Sequence, residues 1–365
     1  MPHTETKNIL MSLVIILLIL IFALIFRYDV NQPRQEPSKV GFILMGGIHE
    51  AGWNASQYEA IQQACRQMEV ELLVKEYVRE NTGECIQAIR ELANEHVGMI
   101  FLSSYAYPAE ARDIMKEYPR ISFVTNSAEH HAKNMTSFFV RMYQVRYLAG
   151  AIAGMRTKSG IIGYVAAMPN PAVQRNINAF ALGVQRVNPQ AKVLVAWTGR
   201  WQDEPKEAEN TRKLVAAGAD VLTYHQDGKT VADTARELGV DFIGDHERID
   251  DDSPHNLTST VCRWEIYYTT ILRNYLKGEL NSVNNHWLGI DQRTVYLSQY
   301  GDAVTKDIQE QTDRLKQELL DGYPIFTGEI YDNQGNLRCA EDETIKDDAL
   351  LKHINWLVKG VETLE

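Results

Sequence analysis

Trp53 and Asn54 lie in the stretch GGIHEAGWNASQYEA, residues 46–60, between the apolar run KVGFILM and a segment with helical spacing. An indole at the mouth of a strand-to-helix turn is costly to leave in water unless something flat covers it. Trp201 occupies a similar place after the run KVLVAW. Further polar and aromatic residues follow other apolar runs: Tyr105 after GMIFL, Asn126 after ISFVT, Arg175 after GIIGYVAAM, His225 and Asp227 after ADVLTY, and His246 after VDFIG. Aromatic faces, amides and a few charges suit a pocket for a planar, hydrogen-bonding small molecule, with the two indoles as its walls.

Each of these residues also has a plainer reading. Asn54 is a preferred residue for capping the helix that follows. His225 and His246 fit hydrogen-bonded structural histidines, and Arg175 fits a partner for a surface carboxylate. Trp264, Tyr267 and Tyr268 have helical spacing and read as core. His49 and Glu50 would suit acid–base chemistry, but no positioned nucleophile accompanies them. GGIHEAG lacks the lysine and hydroxyl of a phosphate loop and the spacing of a dinucleotide fingerprint. The acidic patch DHERIDDD, residues 245–252, matches no metal-ligand spacing. We therefore expect a binding protein and not an enzyme, with no catalytic residue, metal or cofactor.

The elements that must hold these residues alternate. Ten β-rich runs, KVGFILM through LTSTVC, are separated by amphipathic stretches such as SQYEAIQQACRQME. Strands alternating with helices of this length predict βαβ units and parallel sheets. Ten strands are too many for one ordinary sheet, so the pattern predicts two doubly wound α/β halves. The loops leaving the carboxyl ends of such strands form the ligand crevice.

The chain has 365 residues, 45% hydrophobic and 23% charged, with a formal net charge of −11. That balance argues against a nucleic-acid partner, which would need a basic face. Residues 9–26, ILMSLVIILLILIFALIF, are an uncharged apolar run long enough to span a bilayer. No small-residue cleavage site follows. We expect an uncleaved single-pass anchor, an eight-residue tail before it and a proline-bearing linker at 27–38. Lys7 against Arg27, Arg34 and Lys39 favours the opposite orientation, but large following domains translocate largely regardless of such charges. The body is expected outside the cytoplasm. Cys65, Cys85, Cys262 and Cys339 show no metal-binding spacing and read as core thiols.

Longer motifs carry a resemblance. GWNASQYEAI, RNINAFALGVQRVNP, WTGRWQDEPKEAE, GADVLTYH, LTSTVCRWEIYY, FTGEIYDNQG and NWLVKGV, spread over residues 39–363, resemble the basic membrane protein family of purine nucleoside receptors that feed ABC importers. The resemblance implies a type I periplasmic-binding-protein fold, two lobes joined by a three-crossing hinge with ligand between them. It places lobe 1 at 39–142 plus 256–285, lobe 2 at 143–255 plus 286–330, and a C-terminal tail at 331–365 packing on the body. It implies Trp53 and Trp201 as stacking aromatics, Asn54 as a base-edge amide and Gln144 near a polar hinge position. His246 falls where many relatives carry an acidic residue for the ribose hydroxyls, and Cys262 where the nucleoside receptors carry a lysine. Both are departures, and a neutral imidazole accepts two hydroxyls poorly. The implied ligand is a nucleoside, nucleobase or related heterocycle. The implied partner is an ABC permease with its ATPase, or else a membrane signalling protein.

Overall fold

The computed structural model describes residues 38–49, 52–126, 133–246, 253–280 and 286–364. The expected membrane span at 9–26, its linker up to residue 37, Glu50 and most of the acidic patch lie outside the described residues. Among the described residues no helix is long and apolar enough to cross a membrane.

All ten anticipated runs are strands. In chain order they are β1 (Lys39–Ile43), β2 (Glu71–Lys75), β3 (Met99–Leu102), β4 (Ser122–Thr125), β5 (Met135–Val140), β6 (Ile161–Ala166), β7 (Lys192–Trp197), β8 (Val221–His225), β9 (Asp241–Asp245) and β10 (Asn256–Cys262). Among the described residues five shorter strands follow that periodicity could not show, being two or three residues each: β11 (His286–Leu288), β12 (Val295–Leu297), β13 (Ile330–Tyr331), β14 (Leu337–Cys339) and β15 (Val361–Thr363).

Among the described residues one large sheet runs β11-β5-β4-β3-β1-β2, a second runs β12-β10-β9-β8-β6-β7-β15, and β13 and β14 form a small antiparallel pair. All the pairings among β1–β5 and among β6–β10 are parallel. The order 2-1-3-4-5 in one half is repeated as 7-6-8-9-10 in the other. In each half the winding reverses beside the first strand, and a crevice opens there at the carboxyl ends. Helices on both faces bury the strands on both sides, so β3 reads MIFL with no polar position and is buried throughout.

Nine helices of six residues or more accompany the sheets among the described residues. They are α1 (Trp53–Gln67), α2 (Glu84–Asn94), α3 (Met142–Arg156), α4 (Pro171–Val187), α5 (Glu204–Ala216), α6 (Thr230–Glu237), α7 (Trp264–Leu276), α8 (Lys306–Leu320) and α9 (Asp347–Lys352). Local signals start α4 where they should: Asn170 Oδ1 accepts the Val173 N–H at 2.9 Å, and Pro171 takes the first helical position. α3 and α4 pack closely through glycines. A Cβ on Gly150 would meet the Phe180 carbonyl oxygen at 1.9 Å, and one on Gly183 the Tyr147 carbonyl oxygen at 1.9 Å.

The chain crosses between the sheets after β5, after β10 and between β11 and β12. This differs from the expected grouping of 256–285 with the first lobe. β10 pairs with β9 in the second sheet, while α7 crosses back to pack on α1. Likewise β11 joins the first sheet beside β5. Apolar strand runs do not reveal which sheet they join, because either sheet edge would bury them equally well. β15 lies parallel to β7 and extends the second sheet.

Candidate ligand-binding cleft

A cavity of about 690 Å³, open solvent included, lies where the two crevices face each other. Of the residues expected there, Trp53, Tyr105, Asn126, Trp201, His225, Asp227 and His246 line it. The two tryptophans thus share one cavity instead of pointing into separate lobe cores.

Trp53 opens α1. Gly52 before it has φ 84°, and a Cβ there would sit 2.3 Å from the Asp227 carbonyl oxygen of the opposite lobe. Glycine is required on both counts. The Trp53 Nε1–H donates to the Ser103 carbonyl at 3.0 Å. Its ring meets His246 edge-on at 4.9 Å and Trp264 edge-on at 5.1 Å. This favourable aromatic geometry fixes the indole plane. Across the cleft Trp201 donates its Nε1–H to Glu80 Oε2 at 3.2 Å and lies 5.7 Å from the His225 ring.

Asn126 forms wall and frame together. Its Nδ2 donates to Gln57 Oε1 at 2.8 Å, and its Oδ1 accepts the Tyr267 hydroxyl at 3.1 Å. Gln57 Oε1 also accepts the Tyr268 hydroxyl at 2.6 Å. α7 is thereby tied to α1 by a buried polar network, a role for Tyr267 and Tyr268 beyond core packing.

Behind the cavity, Arg146 and Asp245 form an ion pair with both side chains wholly buried. Arg146 also donates to the Tyr224 carbonyl at 2.8 Å, and Thr260 Oγ1 donates to Asp245 Oδ1 at 3.0 Å. Burial raises the Asp245 carboxyl, but the Arg146 guanidinium beside it outweighs that and holds it below its ordinary value. Burial pushes His225 down to about 3 and also lowers His246, so both rings are neutral near pH 7. His246 has φ 54°, uncommon outside glycine, at the turn that follows β9. His225, Asp245 and His246 offer ligand atoms within 4.8 Å of one another. A metal ion there would have to compete for Asp245 with a fixed guanidinium charge.

Three expected residues do not line the cavity. Asn54 is the second residue of α1, with Gly52 at the cap, so it lies inside the helix and neither caps it nor reaches the cavity. Its Oδ1 accepts the Gly46 N–H at 3.3 Å. Gln144 Oε1 accepts the Ile290 N–H at 2.9 Å and so braces the crossing between β11 and β12. Arg175 lies between Phe139 and Trp287 and donates to the Leu350 carbonyl of α9 at 2.8 Å. On α4, positions 172 and 176 share one face, and Ala172 and Asn176 take the cavity side. Arg175 and Asn178 face the C-terminal segment, where Asn178 bonds both the Trp356 carbonyl and the Val358 N–H at 2.9 Å.

Sequence reasoning missed Phe138, Phe139, Met142, Asn176 and Trp264 as cavity residues. Phe138 and Phe139 sit inside a continuous β run and carry no polar signal. Trp264 was expected in the core; it is buried, and it also lines the cavity. Cys262, where the resemblance implied a lysine, is buried on β10 and is not among the lining residues.

Residues 37–334 match the family model of PnrA-like ABC transporter substrate-binding proteins. The chain belongs to this family. It is 30% identical over 334 residues to a purine-binding protein of Brucella abortus, covering 90% of this chain and 94% of that one. It is 27% identical over 330 residues to an ABC transporter protein of Haloferax volcanii named for glucose binding, covering 90% and 81%. Among solved structures, a solute-binding protein of an ABC transporter system from Aeropyrum pernix superposes with a TM-score of 0.68 at 16% identity, covering 78% of this chain and 92% of that one. As a member of this substrate-binding family the chain is a binder of small molecules and not an enzyme. Its relatives differ in the ligands they are named for, so the cleft of this member must decide its own.

Proposed function

We propose that this member of the family binds an unphosphorylated purine, as the free base or the nucleoside, between its two lobes and presents it to an ABC importer. One observation carries the reading: Trp53, Trp201 and Trp264 line the cavity, and no lysine or arginine is among its described lining residues. Aromatic faces suit a flat heterocycle. A phosphate would need a cation. Asp227 is the one carboxylate among the described lining residues and further disfavours an anion. The purine-binding relative supports the same class. Residues 9–26 would tether the body outside the cytoplasm, where an adjacent permease sees a high effective concentration of binding protein.

Native mass spectrometry of the freshly purified full chain would show any co-purified ligand. A thermal-shift series with adenine, hypoxanthine, adenosine, AMP and glucose completes the test. A raised melting point with the bases or adenosine, and none with AMP or glucose, is expected. A shift with glucose alone would overturn the reading.

A further inference from the structure

Glu80 lies between β2 and α2, in the first lobe and outside the cavity lining. Its carboxylate is held from behind. Oε1 accepts the Ser104 hydroxyl at 2.6 Å and the Ala106 N–H at 2.7 Å. The other oxygen, Oε2, accepts the Trp201 Nε1–H of the second lobe at 3.2 Å. Trp201 is fixed in turn on its own lobe, where its carbonyl accepts the Asp227 N–H at 2.8 Å. The Asp227 carbonyl then lies against Gly52, at the foot of Trp53. Two lobe-2 loops, after β7 and β8, are thus joined as one rim that meets the first lobe at Glu80 and at Gly52.

We infer that Glu80 is a positioning residue that couples lobe closure to the orientation of the Trp201 indole. An indole N–H has a single direction, so a carboxylate fixed on the far lobe sets the plane of the ring. It does so only when the lobes are together. Three donors converge on the two oxygens of Glu80. Glutamine has one acceptor oxygen and would turn an NH₂ toward a donor, so Glu80→Gln loses the geometry while keeping the side-chain volume.

The binding readout rests on the purine reading above; the closure readout does not. Binding of adenine to the full chain is measured for wild type, Glu80→Gln, Trp201→Phe and the double variant. Trp201→Phe keeps an aromatic face but removes the N–H together with the five-membered ring that bears it. Each single change is expected to weaken binding about tenfold, chiefly through faster dissociation, since a hydrogen bond to a charged group is lost. The double variant is expected to be no weaker than either single one. Effects that multiply to about a hundredfold would overturn the inference.

Closure is read separately, with spin labels on the exposed positions Glu59 and Glu237, one in each lobe and without added adenine. Glu80→Gln is expected to move the distance distribution to longer values than wild type, and an unchanged distribution would overturn the inference. If wild type fails to bind adenine, the purine reading fails, and the label distances alone decide the role of Glu80.

Discussion

Arg146 on α3 and Asp245 at the end of β9 form a fully buried ion pair directly behind the histidines of the cleft. Neither side chain touches solvent, and each is further held by a neighbour, Arg146 by the Tyr224 carbonyl and Asp245 by Thr260. Breaking such a pair leaves one uncompensated charge in a low dielectric. Arg146→Met or Asp245→Asn alone is expected to cost about 3–5 kcal/mol, read from urea-unfolding midpoints. The double change to Met and Leu should recover most of that loss, because two apolar side chains leave no stranded charge.

Acid should destabilise the body through the histidines. Burial holds His225 at about 3 in the fold, against an ordinary value of 6.5. The unfolded chain therefore binds the extra proton between those values. Stability from this group is fully present above pH 6.5 and is lost as pH falls toward 3. His246 shifts in the same direction. Melting temperature should fall steadily from pH 7 to pH 4, and His225→Gln should flatten the slope. An unchanged slope in that variant would show that other groups carry the acid sensitivity.

Trp53→Ala tests the stacking wall. Removing an aromatic platform under a base costs about 1–3 kcal/mol, or roughly 5- to 150-fold in affinity, measured by titration calorimetry with adenine. Trp53→Phe keeps a face but loses the Nε1–H donated to Ser103, and should fall between the two.

Arg175→Met separates the cleft from the C-terminal segment. The variant loses the hydrogen bond to the Leu350 carbonyl but keeps an apolar side chain between Phe139 and Trp287. Stability should fall by about 1–3 kcal/mol, while adenine affinity stays within roughly twofold of wild type. A large loss of affinity would place Arg175 in the site after all.

The α3–α4 contact makes a prediction about stability alone. Gly150→Ala would drive a methyl group into the Phe180 carbonyl, which is backbone and cannot swing away. Helix separation must then increase, and the expected cost is about 1–3 kcal/mol in unfolding free energy. Gly160→Ala, where nothing lies near the added carbon, would report only the cost of its positive φ.

Local pattern determined a good deal. Continuous apolar runs between amphipathic segments showed ten strands and a parallel, two-sheet architecture, because strands buried on both faces have no polar positions to hide them. Residues following those runs pointed to the cleft, since doubly wound sheets bind at their carboxyl ends, and seven of the ten residues expected there line one cavity. What the pattern could not show is what packing decides. Arg175 and Asn176 are neighbours in the chain, yet the helix turns one toward the C-terminal segment and the other into the cavity. β10 was free to join either sheet, and only its pairing with β9 assigns it. Glu80 stands 121 residues before Trp201, and no spacing rule links them. Periodicity is a property of neighbours along the chain, whereas a cleft is assembled from segments that meet only once both sheets have formed.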